Sequence, residues 1–252
     1  MLFGWSRAIL LQLAHPLLAA GVMEHSAFRD GVFTAASRLH HTVRSMLALT
    51  FGTDAERDQT IADINQIHRR VNGALRHTVG RHPAGTPYSA EDSALLVWVH
   101  ATLLDSIPLV YDRLMEPLPI EDRDRYCLEA APIALALGAR PEDVPRSWQD
   151  VQQYLRATVD SGTIVVGPDA RTLAAAVLAP PFAVTIAPLA ALNRVVTIGM
   201  LPPWLRTQYG FTWSDRDERA FDRWSRRLRR FRHALPDRLA LWPEARRLRA
   251  GA

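Results

Sequence analysis

At 252 residues, 48% of them hydrophobic and 22% charged, the chain can bury a sizeable core and is too apolar to be disordered. Its 30 basic residues are all arginine, so no lysine is available for a Schiff base. With 26 acidic residues interspersed and no DNA- or RNA-binding motif, the net charge of +4 does not mark a nucleic-acid binder. The single Cys127 excludes an intramolecular disulfide framework and a cysteine-rich zinc or iron–sulfur site, which fits a reducing, cytoplasmic setting.

The elements read in order as helices. A first helix passes through Leu10-Leu11-Gln12-Leu13 and bends or ends near Pro16. The run from Ala8 to Met23 is too short and too interrupted by Gln12, His15 and Pro16 to span a bilayer, and no small-residue cleavage site precedes Glu24-His25-Ser26. A second helix is predicted from Thr34 to Phe51, stopped by Gly52, and a third opens after Thr53 or Asp54 and carries His68. A loop with Pro83, Gly85 and Pro87 follows. The fourth helix is predicted to start at Ser89, three before Asp92, and to run through WVHATLLDS at 98–106; it is apolar nearly all round and therefore central. Further helices are expected near 121–137, 147–160, 169–178 and 183–199, with LPPW at 201–204 as a break. The oily 173–201 stretch is interrupted by Pro180, Pro181 and Pro188, and is expected to line an apolar pocket. Last comes a helix whose Phe221, Trp224, Leu228, Phe231 and Leu235 form an apolar stripe for docking on the body, with arginines on the other side; the alternative use of such a basic amphipathic helix is a peripheral membrane contact. Nothing asks for β structure. The expectation is one all-α domain over 1–252, with 200–252 as an extension packed on the core.

The absent motifs prune the chemistry. No His-Glu-x-x-His, no Glu-x-x-His pair of the di-iron type, no glycine-rich phosphate loop and no Gly-x-Ser-x-Gly elbow occurs. Histidines on apolar helices remain: His15, His25, His68 and His100, with His40 and His41. Such a scatter suits haem better than zinc. His68 falls at helical spacing with Ile61, Ile64, Val71 and Leu75, which points an imidazole into the interior, either as a hydrogen-bonded core residue or as an axial ligand to haem iron. His100, in the apolar fourth helix, is the competing ligand. Arg38 and Thr42 share one helix face beside the stripe Leu39, Val43, Met46 and Thr50. They either pair with a haem propionate and bound dioxygen, or are an arginine stem over the core and a back-bonded threonine. Glu24 follows the oily first helix, and is either a desolvated carboxylate serving as general base or part of a surface turn.

The blocks LLQLAHPLLAAGVMEHSAF (10–28), RLHHTVRSMLALTFGT (38–53), IHRRVNG (67–73), YSAEDSALLVWVHATLLDS (88–106) and LPPWLRTQYGFTWS (201–214) together resemble the MpaB-type oxygenase family, which shares its catalytic domain with the rubber oxygenases called latex clearing proteins. The resemblance implies a helical, globin-like core holding haem b. His68 is then the proximal ligand, Arg38 and Thr42 are the distal arginine and threonine, and dioxygen is the co-substrate for oxidative cleavage of carbon–carbon double bonds. It also implies a glutamate base, for which Glu24 is the nearest candidate; whether a sixth iron ligand, such as His25 or His41, closes the distal site stays open. The rubber enzymes have a lysine where this chain has His41, so the implied substrate widens from polyisoprene to an isoprenoid or other unsaturated apolar molecule. Relatives carry a further segment before LLQLAHP, which makes a truncated first helix an expectation. A rival of another class is a helical protein that carries haem or an apolar ligand without turnover. Nothing in the sequence fixes the oligomeric state.

Overall fold

The computed structural model describes residues 2–25, 32–178 and 187–234, with Arg246 beyond them; at 2, 32–40, 187–189 and 233 it describes the backbone alone. The described residues form an all-α protein with one small hairpin.

The first helical region is two helices, α1 (Leu2–Leu13) and α2 (Pro16–His25), bent by 106° where Ala14 and His15 interrupt them. Pro16 lacks an amide hydrogen and cannot continue α1, but its fixed φ suits the first position of a new helix. The turn is sealed by the Leu17 amide, which donates to His15 Nδ1 at 3.3 Å. The bend lays α1 along α5 (Ser93–Leu114) and sends α2 towards α8 (Pro168–Leu178). α1 is locked by a buried cation: Arg7 donates to Asp105 and Ser106 at 2.7 Å each and to the Met200 carbonyl at 2.8 Å. The Tyr209 hydroxyl donates to the Leu10 carbonyl at 2.6 Å. Around these contacts Leu10, Trp98, Leu173 and Leu205 are all at most 1% exposed, so the core lies between α1, α5, α8 and the short α10 (Pro203–Tyr209).

α5 is the one described helix long and apolar enough to cross a membrane by length and composition, and 67% of its apolar window is buried inside the fold. Its cap is Asp92, whose side chain accepts from the Ala94 amide, so the helix starts at Ser93 and not at the predicted Ser89. Ser89 instead ends a hairpin, β1 (Asn72–Ala74) paired antiparallel with β2 (Pro87–Ser89). This β structure runs against expectation, because three-residue strands are too short to carry an alternating pattern. The remaining helices are α3 (Val32–Phe51), α4 (Asp54–His68), α6 (Ile120–Ala136), α7 (Trp148–Asp160), α9 (Ala187–Gly199) and α11 (Asp215–Ala234). α4 begins with a reciprocal capping box between Thr53 and Glu56.

Two expectations from the C-terminal third are corrected. LPPW does not only break the chain: Pro203 takes the first position of α10, and Gly210, at φ +74°, ends it. The apolar stripe of α11 is narrower than its spacing suggests. Phe221 and Ser225 are buried and Leu228 is half-buried, while Trp224 and Phe231 are 36% and 63% exposed; Leu235 lies outside the described residues.

Candidate functional site

The cavity that stands out has a volume of about 590 Å³, within the roughly 300–1,000 Å³ of small-molecule sites, and its walls are mainly apolar. Five helices and the hairpin enclose it: α2 gives Leu17, Leu18 and Gly21, α3 gives Met46, Leu49 and Thr50, and α4 gives Ile64, Ile67 and His68. Tyr88 comes from β2, Leu95, Val99 and His100 from α5, and Ile133 and Leu137 from α6 and its end. No described residue of 173–201 lines it, and Leu173, Leu178 and Ile198 are packed into the core instead; residues 179–186 of that stretch, where Pro180 and Pro181 fall, lie outside the described residues. A second groove of about 580 Å³, between α5, α9 and α11, is lined by Asp112, Arg113, Asp222 and Arg229, an ion-paired wall unsuited to an apolar guest.

His68 borders the larger, apolar cavity from the last turn of α4. Its neighbours on the stripe, Ile61, Ile64 and Val71, are half-buried, and α4 has no fully buried residue. From Ile64 onward the periodic face therefore lines a hollow rather than a packed core, and that is why its side chains there stay partly exposed. His100 approaches from α5 and is buried. Both rings carry a buried nitrogen without a hydrogen-bond partner, Nδ1 of His68 and Nε2 of His100. Leaving such an atom unmet costs about 1–3 kcal/mol, so two of them beside one cavity mark a place for an occupant. Burial lowers the proton affinity of both imidazoles, to a pKa of about 4 for His100, and each is neutral near pH 7.

On α3, Thr42 and His41 are exposed and neither lines the cavity. The side chain of Arg38 lies outside the described residues. The helical register nonetheless places Arg38, Thr42, Met46 and Thr50 on one stripe, and the lower half of that stripe is cavity wall.

Glu24 ends α2 on the surface, outside the cavity lining. It accepts from the Tyr88 hydroxyl at 2.5 Å and from Arg76 Nη2 at 3.1 Å. Those two donors, the phenol first, hold its carboxyl below the usual range, the reverse of the raised proton affinity expected from desolvation. Tyr88 is the group between: its ring lines the cavity, it is buried, and desolvation with the Glu24 bond pushes its phenol well above its ordinary value. Gly73 makes room for this contact, because a Cβ there would stand 2.5 Å from the Tyr88 hydroxyl. His25 also lines the cavity, with Nε2 3.0 Å from the Asn72 carbonyl and its ring edge-on to Tyr88. Sequence reasoning misses Tyr88 because its significance is a partner 64 residues away. The one local sign is its place between the glycine-rich loop and the α5 cap.

Compared with known protein families, residues 1–230 match the model described as ER-bound oxygenase mpaB/B'/rubber oxygenase, catalytic domain. The chain belongs to this family. No curated protein and no solved structure matches it. As a member of the mpaB/rubber oxygenase family, it carries the family's match over α1 to most of α11, so every wall of the cavity lies inside the matched region. Among the described residues no group of three or more His, Cys, Asp or Glu could hold a bare metal ion. The donors lining the cavity include the imidazoles of His25, His68 and His100, with Glu129 and the phenols of Tyr88 and Tyr126, in a mainly apolar surround, and an imidazole so placed fits the single protein ligand and apolar pocket of a haem.

Proposed function

We propose that this protein is a haem b-dependent oxygenase that uses dioxygen to cleave or oxygenate a carbon–carbon double bond of an apolar isoprenoid or lipid-like substrate. The observation that carries the reading is the pair of neutral imidazoles, His68 and His100, with unmet buried nitrogens beside one apolar cavity in a chain of an oxygenase family. His68 would hold the iron and His100 is the alternative ligand, with α3 to α6 as the globin-like cradle. The haem would supply the site where dioxygen is reduced and activated.

The chain's own residues do the rest. The aliphatic walls from α2, α4, α5 and α6 exclude water and take up the substrate by burying its apolar surface. His68 stays unprotonated because burial disfavours its charged form, which keeps a lone pair available near neutral pH. Arg38 and Thr42, two turns and one turn before Met46 on the α3 stripe, would be the groups that stabilise negative charge developing on dioxygen, as the family resemblance implies. Glu24 is held ionised and meets the cavity lining through the Tyr88 hydroxyl, so a proton it takes from the cavity would pass by way of that phenol.

The test is the absorption spectrum of purified protein. A Soret band is expected, absent or strongly weakened in His68→Ala with the helical circular dichroism retained; loss in His100→Ala alone assigns the iron to His100. The second reading, a haem or lipid carrier without turnover, is favoured by one observation: Glu24 and Thr42 both lie outside the cavity lining. Oxygen uptake with a panel of unsaturated isoprenoids and fatty acids separates the two, since a carrier consumes none.

A further inference from the structure

Helix α11 presents an unusual surface. Between Arg223 and Ala234 it holds six arginines (Arg223, Arg226, Arg227, Arg229, Arg230 and Arg232) and no acidic residue. The helix is fastened to the body by Phe221, Ser225 and Leu228, by an ion pair between Arg113 and Asp222, and by Arg229, which donates to the Asp112 carbonyl. With that face engaged, Arg223, Arg226, Arg227 and Arg230 are all exposed. Beside them, Trp224 and Phe231 stand seven residues apart, and so on one edge of the helix, both counted among the exposed large side chains. A body helix that needed these aromatics for packing would bury them; this one leaves them at the border of its cationic face.

We infer that the outer face of α11 docks this protein onto an anionic lipid bilayer, with Trp224 and Phe231 entering the headgroup region while the neighbouring arginines meet the lipid phosphates and carboxylates. Charge sign and side-chain type both match: anionic leaflets attract clusters of basic residues, and aromatic side chains settle at the boundary of headgroups and chains. Arginine suits this position because its planar guanidinium binds phosphate in two-pronged fashion and is only weakly hydrated. A single-stranded nucleic acid is the other polyanion that basic and aromatic residues can hold, by stacking bases on open rings. Here one face of the Trp224 ring is already covered by the Arg227 guanidinium, 5.1 Å from its centroid, which leaves that ring less to offer a stacked base. Docking needs no unfolding, since the bonds to α5 lie on the opposite side of the helix. The inference is independent of the proposed oxygenase chemistry: none of these residues lines the apolar cavity.

The experiment is flotation of the full-length protein with phosphatidylcholine vesicles, with and without phosphatidylserine, at low and at high salt. Binding is expected only to the phosphatidylserine vesicles and is expected to fade with salt, as charge-driven adsorption does. Two variants divide the contributions. Arg223→Glu/Arg227→Glu/Arg230→Glu is expected to lower partitioning roughly tenfold or more. Trp224→Ser/Phe231→Ser is expected to weaken it while leaving the salt dependence in place, with circular dichroism and thermal midpoint close to wild type in both. Equal binding by the charge-reversed protein overturns the inference, as does unchanged binding after the aromatic substitutions. Failure to bind phosphatidylserine vesicles, with or without retention of a single-stranded oligonucleotide, overturns it as well.

Discussion

The centre of the molecule and the cavity wall on α4 are built from similar apolar repeats and end in opposite states. In the centre, α1, α5 and α8 interlock until Leu10, Trp98 and Leu173 have almost no exposed surface. Along α4 and just past it the same three-and-four spacing leaves Ile64, His68 and Val71 half-buried, because what they face is a hollow of about 590 Å³. Periodicity reports which side of a helix avoids water. It does not report whether protein or a guest fills the space on that side.

The largest expected effect lies in the centre. Arg7→Ala leaves Asp105 charged with only Gln152 still bonding to it, and should lower the unfolding free energy by about 3–5 kcal/mol, read from the midpoint in a urea titration. Ile64→Ala on the cavity wall removes as much hydrocarbon as many core substitutions do, yet is expected to cost below about 1 kcal/mol, since the side chain is already half in the open. Equal losses in these two variants would break the contrast.

Acid is the next lever. His15, buried at the α1–α2 bend, has a pKa lowered to about 4, chiefly by desolvation, then by His82. The unfolded chain takes up this proton as the pH falls through 6.5, the native state only near 4, so stability declines across that window by as much as about 3 kcal/mol. His100 and His68 titrate with the same sign, so His15→Asn should reduce the slope of stability against pH rather than abolish it.

At the hairpin, Gly73→Ala drives a methyl against the Tyr88 hydroxyl, and overpacking of this kind costs about 2 kcal/mol. It should also part Tyr88 from Glu24, which a rise in the Glu24 pKa, followed by carboxylate NMR, would register. A Glu24 titration unmoved by Gly73→Ala would mean that Arg76, and not the phenol, holds the carboxylate.

Fold class and most helices are legible in the sequence, because caps such as Thr53 and stops such as Gly52 act locally. So is the distinction of His68, whose spacing from Ile61 and Ile64 is enough to set it on an apolar face. What cannot be read are features whose cause is distant. The Arg7 anchor depends on Asp105 and Met200, and the fate of Glu24 depends on Tyr88 and Arg76, each at least 52 residues away. The apolar stripe of α11 misleads for a related reason: Trp224 and Phe231 lie at helical spacing, but among the described residues no apolar neighbour buries them.

The tie between Arg7 and the Met200 carbonyl, with that between Tyr209 and Leu10, also sets a timetable for biosynthesis. The partners are 193 and 199 residues apart, so an oily N-terminal helix leaves the ribosome long before its clasp exists. At elongation speeds of roughly 5–20 residues per second that interval is roughly 10–40 s. Through all of it α1 presents Leu10, Leu11 and Leu13 to whatever binds greasy nascent chains, which makes the yield of soluble protein a question of chaperone supply as much as of final stability.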